Sequence, residues 1–369
     1  MSKEKISAQQ LFCLMFMFEI GSAIVVGIGI QAKQDAWIAV LLAMLCGLLL
    51  FLIFSYFHKK YPSQPLTTYV KVIFGKYLGT GISVLYILYF LYISARVLRD
   101  LGGLIVTSTL EHTPIVVVCT LMMLIVVYGV VKGIEVIGRS SEMIFLLIIM
   151  IGLLGIIFTC FGGIIEPKRL LPILENGWKP VLKTVFPQIL TFPFGEMIVF
   201  TMFLPYLNKA ALARRIGLLA ILASGIVLSF TIALEISILG PGGVAVSQFP
   251  LLDTISRVSI ANFIERLDVL VVLTLIFGVF IKIMIFFFAS VKGVYDLFQF
   301  KSNKQWRIIV IILGILEVIV SYFMASSYTE HIKIGLKIVP LYLHLPMQIM
   351  IPCFLLIVAI FRKKMKNNL

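Results

Sequence analysis

The chain has 369 residues, of which 61% are hydrophobic and 13% charged, with a mean hydropathy of +1.10 and a net charge of +14. Soluble domains run at roughly 45–50% apolar and 25% charged residues, so this composition excludes a water-soluble enzyme, a nucleic-acid-binding domain and a disordered chain. The apolar runs are continuous and about twice the ~10-residue alternating segments of a β-barrel, so the chain reads as an all-α polytopic membrane protein.

Ten apolar segments are long enough to cross a bilayer: 8–30, 36–57, 80–104, 115–131, 140–161, 184–206, 216–239, 267–291, 307–325 and 339–361. The first carries Phe18-Glu19-Ile20-Gly21-Ser22-Ala23 near its middle. On the third, Tyr89, Ile93 and Arg96 share one helix face, which serves equally as the wall of a small pocket or as ordinary packing. Arg96, Arg99 and Asp100 read as an ion cluster at the outer mouth. The loop 162–183 is broken by Pro172, Gly177 and Pro180, and its Trp178 suits a membrane interface. The sixth segment carries Phe192-Pro193-Phe194-Gly195-Glu196-Met197 at mid-span. Glu235, toward the outer end of the seventh, is expected to reach water. The loop 240–266 opens with Gly-Pro-Gly-Gly and continues as two short amphipathic stretches, 251–255 and 260–264, on the outer surface. The eighth segment holds Lys282 and the ninth Glu317. No connection is long enough for a soluble domain, so residues 1–369 read as one integral membrane domain.

Lys and Arg set the orientation. With the N-terminus inside, inner loops outweigh outer loops in Lys and Arg by roughly two to one, which places both termini on the cytoplasmic side, as ten spans require. The N-terminus lacks a short apolar stretch followed by a cleavage site, so no removable signal peptide is expected. The five cysteines lie within apolar runs without CxxC spacing and read as core packing.

The two mid-span interruptions are the main functional signal. Proline removes a helix hydrogen bond, and glycine relaxes the backbone. Each alone reads most simply as a kink. Together they fall at equivalent places if 8–161 and 184–361 are five-helix halves in inverted orientation, a 5+5 inverted repeat with broken helices 1 and 6. Interrupted spans in corresponding positions point to a binding site at the membrane midplane. There, freed N–H groups hold an anion and freed carbonyls with Glu196 hold an ammonium. Gly21, Ser22, Pro193, Phe194, Gly195 and Glu196 are the residues of that site.

Intramembrane charges are expensive and need partners. Glu196 and Lys282 both lie near the middle of their spans. They either lock two helices together as a buried pair or line the pocket. The sequence has no P-loop, no HExxH and no Gly-x-Ser-x-Gly, and its four histidines are scattered, so no enzyme, metal site or cofactor is expected.

The sequence resembles the B subunit of bacterial spore germinant receptors, within the amino acid–polyamine–organocation superfamily. The resemblance spans essentially the whole chain. It rests on Ile6-Ser7-Ala8-Gln9-Gln10 leading to Ile20-Gly21-Ser22, on Lys33-Gln34-Asp35-Ala36-Trp37-Ile38, on Leu171-Pro172-Ile173-Leu174-Glu175-Asn176-Gly177-Trp178, on Phe192-Pro193-Phe194-Gly195-Glu196, and on Ile264-Glu265-Arg266. Ordinary permeases share the broken helices but lack the 171–178 loop. The resemblance implies a ten-helix transporter-like fold in the inner membrane of the dormant spore. It implies sensing of a small germinant such as an amino acid, with A and C subunits as partners, membrane lipid around the chain and no nucleic acid. Carried over by position, the pocket comprises Gly21, Tyr89, Ile93, Phe194 and its neighbours, Lys282 and Phe286. Lys282 departs from the small neutral polar residue that would suit a zwitterion, so it implies altered specificity or a fixed counter-charge for Glu196. The other functions in view are an amino acid or solute permease working by alternating access, and a structural subunit whose pocket is vestigial.

Overall fold

A run of apolar residues must close its backbone hydrogen bonds internally before it can enter lipid, and helices do this locally. The computed structural model describes residues 4–24, 26–258 and 268–367. Among them, nine helices are long and apolar enough to span a bilayer, and Ala8–Ile20 is a shorter apolar helix. The expected segment 260–264 and the motif 264–266 lie outside the described residues.

In chain order the helices are α1 (Ala8–Ile20), α2 (Ala36–Lys60), α3 (Leu66–Phe74), α4 (Lys76–Ser108), α5 (Ile115–Lys132), α6 (Ile134–Phe161), α7 (Trp178–Thr184), α8 (Ala213–Val246), α9 (Pro250–Ser256), α10 (Asp268–Leu297), α11 (Asn303–Phe323), α12 (Tyr328–Lys333) and α13 (Ile351–Asn367). A 3-10 stretch, Phe194–Met202, continues the sixth span beyond α7, and a π-helical stretch, Pro340–Met350, leads into α13.

α10 lies at the centre. Residues 281–291 are all buried, and α10 packs against α4, α1, α6 and α5. A helix that is apolar on every side belongs in such a position. Helix α2 packs on α8, α4 on α10, and α5 on α11. The outer helices invert the soluble pattern. Leu121, Leu124, Ile125 and Tyr128 of α5 and Met143, Leu146, Met150, Leu153 and Ile157 of α6 are exposed. These stripes at helical spacing turn outward toward lipid, as in an integral membrane protein with multiple spans.

Several short motifs have local structural causes. Ser7 caps α1 through the Gln10 N–H, and the Gln10 side chain accepts from the Ser7 N–H, a capping box that fixes where the helix starts. Ile6 pairs with the chain near Leu207 through Ile6 N–H to the Tyr206 carbonyl at 2.9 Å. The 33–38 and 171–178 motifs meet. Gln34 Nε2 donates to Glu175 Oε2 at 2.8 Å and to the Pro172 carbonyl at 3.2 Å, and Leu174 N–H donates to Asp35 Oδ1 at 2.9 Å. Neither motif shows this alone, because each supplies half of the hydrogen bonds.

The short α3 was not expected from sequence. It crosses α4 at Gly79, where a Cβ would sit 2.5 Å from the Lys71 Cα, 2.9 Å from its N and 2.9 Å from the Val70 carbonyl oxygen. Backbone cannot yield as a flexible side chain does. Gly79→Ala is therefore expected to destabilise the protein by about 1–3 kcal/mol, read as a lower thermal midpoint in detergent.

Candidate functional site

Both interrupted spans lose regular helix where the sequence places Gly and Pro. α1 stops at Ile20, and the chain runs on through turns with Gly27 and Gly29 at φ +58° and +84°. At Gly21 a Cβ would lie 3.0 Å from the Gly278 carbonyl oxygen of α10, and at Gly278 a Cβ would lie 3.1 Å from the Gly21 Cα. Only paired glycines let the end of α1 touch α10 backbone to backbone. The sixth span leaves helical geometry at Phe186 (φ −117°, ψ 127°), has a cis Phe192–Pro193 bond and resumes as the 3-10 stretch Phe194–Met202. Gly195 is required because the Gln348 amide oxygen packs where its side chain would be.

The breaks bring a charge cluster together. Lys282 Nζ lies 2.5 Å from Glu196 Oε2, with the two side chains 0% and 2% exposed. The same ammonium sits 4.5 Å from the Phe192 ring centre and 5.0 Å from that of Phe18. A desolvated cation gains roughly 0.5–2 kcal/mol from each such aromatic face, which partly offsets the cost of taking the pair out of water. Glu19, fully buried, has no hydrogen-bond partner on either carboxylate oxygen and is close enough to feel the charges of Lys282 and Glu196. Two carboxylates thus face one ammonium, and with all three ionised the cluster is one positive charge short of neutral.

A polar network from the tenth span supports Glu196. Gln348 Nε2 donates to Tyr89 Oη at 2.7 Å, and Tyr89 Oη lies 2.8 Å from His344 Nδ1, which Gln348 Nε2 also approaches at 3.1 Å. Two donors converge on Nδ1, so the network assigns Nδ1 as the acceptor and puts the proton on Nε2. Nε2 faces Glu196 Oε1 at 4.0 Å.

The sequence-expected site residues distribute as follows. Gly21, Glu196 and Lys282 converge, with Ser22 buried beside Gly21 and its hydroxyl unpartnered. Phe286 packs on Phe18 at 5.0 Å between ring centres. Tyr89 joins through His344, and Ile93 lines a cavity with Glu196. Pro193 and Gly195 shape the break. Phe194 packs its Cβ against Gly47 of α2, and Phe192 provides the ring over the ammonium. Phe18, Phe192, His344 and Gln348 were missed.

The space at the expected site is narrow, and two other expectations need correction. The space between the breaks is filled by Phe18, Phe200, Phe286 and Lys282, all fully buried. The cavity that touches Glu196 holds only about 50 Å³, between Ile93, Arg96, Phe192, Gly335 and His344, room for a few waters. Arg96, Arg99 and Asp100 clasp α12 and the turn before it instead of one another. Asp100 Oδ1 lies 2.7 Å from His331 Nε2, Arg96 donates to the His331 carbonyl at 2.8 Å and Arg99 to the Ala325 carbonyl at 3.2 Å. Glu235 is buried rather than wetted, because α8 runs on through a kink at Gly240 to Val246. A larger cavity of about 490 Å³, lined by Glu4, Lys5, Lys292, Trp306 and Arg307 among others, lies away from the charge pair, beside the N-terminus.

These features define a polytopic membrane protein of transporter-like fold. The chain superposes on Mhp1, a nucleobase-cation-symport-1 family transporter in a closed conformation with bromovinylhydantoin bound, with a TM-score of 0.67 at 13% identity, covering 88% of this chain and 74% of that one. It superposes on MhsT in complex with L-phenylalanine with a TM-score of 0.65 at 13% identity, covering 97% and 99%. A family model described as spore germination protein matches residues 5–329. The chain is 40% identical over 368 residues to spore germination protein KB of Bacillus subtilis (strain 168), covering 100% of this chain and 98% of that one. It is 30% identical over 274 residues to spore germination protein YndE of the same organism, covering 73% of each. The chain belongs to the spore germination protein family.

Proposed function

We propose that this protein is the nutrient-sensing B subunit of a spore germinant receptor. It binds a small germinant such as an amino acid where interrupted spans one and six meet α4 and α10, and it signals to A and C subunits in the inner spore membrane. Both termini face the spore core. The observation that carries the reading is the buried cluster at the breaks, in which Glu19 and Glu196 share the single ammonium of Lys282. Such a cluster is ready to accept one more cationic group, the amine of a germinant. The packing of α2 on α8, α4 on α10 and α5 on α11 supports two inverted five-span halves, since each pair joins equivalent spans across the repeat. A ligand shifts a receptor only through unequal affinity for two states, and a 50 Å³ cavity fits the state that closes without ligand.

Spores carrying this subunit, screened against single nutrients, are expected to respond to a subset, and Gly21→Ala spores to lose that response by tenfold or more at normal protein level. An unchanged dose–response in Gly21→Ala spores would remove the breaks from the sensing site. The shared fold with symporters supports a second reading, an amino acid or solute permease. Saturable uptake of labelled solute into proteoliposomes holding the isolated chain would favour it over the receptor.

A further inference from the structure

The cavity of about 490 Å³ beside the N-terminus shares no residue with the charge cluster at the breaks, and its volume suits a small organic molecule. Two groups of elements wall it. On one side are Lys5, which leads into α1, and Tyr206 at the end of the sixth span. Ile6 N–H donates to the Tyr206 carbonyl at 2.9 Å and Asn208 N–H to the Ile6 carbonyl at 3.0 Å, so these two segments are held together. On the other side are the end of α10, the start of α11 and the turn between α5 and α6, elements that pack on one another.

The wall carries excess positive charge. Lys5, Lys292 and Arg307 line it against one carboxylate, Glu4. Glu4 Oε2 is already engaged by the Ile134 N–H at 3.2 Å, at the start of α6, where the helix dipole favours an anion. Lys292 Nζ is paired with Asp296 Oδ1 at 2.6 Å. Lys5 and Arg307 are exposed and form no ion pair among the described residues. An exposed cation is ordinarily only hydrated, but like charges on a concave, low-dielectric wall focus their field on whatever enters it.

The same wall holds a fixed aromatic cluster. Trp306 meets Phe288 edge to face at 5.8 Å between ring centres and Tyr295 at 5.4 Å, and Tyr206 meets Phe288 at 6.0 Å. Trp306 Nε1 donates to the Val130 carbonyl at 3.2 Å, so its indole is locked and offers a ligand its ring. Rings of this kind favour a flat partner.

We propose that this cavity binds a small organic anion with a flat ring, its acidic groups drawn to Lys5 and Arg307 and its ring to the Trp306 cluster. The bound anion touches both groups of elements, and so ties the outer ends of the two interrupted spans to α10 and α11. The site does not depend on the sensing role.

The test uses the full-length protein in nanodiscs of zwitterionic lipid, with benzene-1,4-dicarboxylate as probe. The thermal midpoint is expected to rise saturably, by about 5 °C at a hundred times the dissociation constant. Cyclohexane-1,4-dicarboxylate, with the same charge and no flat ring, is expected to bind about threefold or more weakly. Benzamide and inorganic phosphate, which each lack one half of the chemistry, are expected to give little rise at constant ionic strength. Lys5→Gln with Arg307→Gln changes only exposed side chains and is expected to weaken direct binding of the radiolabelled probe by about tenfold. No saturable binding to the wild-type protein overturns the proposal, even where the variant does not fold. Equal binding by the double variant, or equal rises with inorganic phosphate or benzamide, also overturn it.

Discussion

Glu196→Gln and Lys282→Met are each expected to lower stability by about 3–5 kcal/mol, and the double variant by much less. Removing one member of a buried ion pair leaves the other charge without compensation, whereas removing both leaves a dry contact of similar volume. Glu19 makes the two single changes unequal. In Glu196→Gln the ammonium keeps Glu19 nearby and both aromatic faces. In Lys282→Met two carboxylates are left with no cation between them. Lys282→Met should therefore be the more damaging single change, and Glu19→Gln should partly rescue it. Thermal midpoints of the purified variants, followed by tryptophan fluorescence, read these differences. Additive losses in the double variant would mean that the two residues act separately.

Phe194→Ala carries the second large effect, a loss of about 3–5 kcal/mol, the usual cost of truncating a fully buried phenylalanine. Its ring is 0% exposed and its Cβ presses on Gly47, so no neighbour can move in to fill the gap without shifting α2. Phe192→Ala, two residues away, is expected to behave differently. It removes one ring from beside the Lys282 ammonium, a loss of about 0.5–2 kcal/mol, and shifts the nutrient concentration that gives half-maximal germination. Stability measured in detergent and germination measured in spores therefore separate the two neighbours. Equal losses of stability in both would place Phe192 in the packing rather than at the charge cluster.

The breaks and the charge pair were legible in the sequence for physical reasons. Gly beside Glu in an apolar run, once with Pro, has few uses other than interrupting a helix, and only a few ionisable residues lie within the spans. The aromatic faces were not legible. Phe18 and Phe192 are two of 29 phenylalanines, and only the fold says which rings meet an ammonium. His344 and Gln348 sit in the last span, and their partner Tyr89 lies some 250 positions earlier. Glu235 was misplaced because Gly240 and Pro241 read as the end of a span. The helix bends there and continues, so the carboxylate lies about three turns inside rather than at the rim.

The hydrogen bonds from Gln34 and Asp35 to the 172–175 loop have a mechanical consequence. They tie the chain just after the first interruption to the chain just before the sixth span, at the one seam where the two halves of the sequence join. The two broken segments consequently share one anchor, reached directly from the first break and across α7 from the sixth.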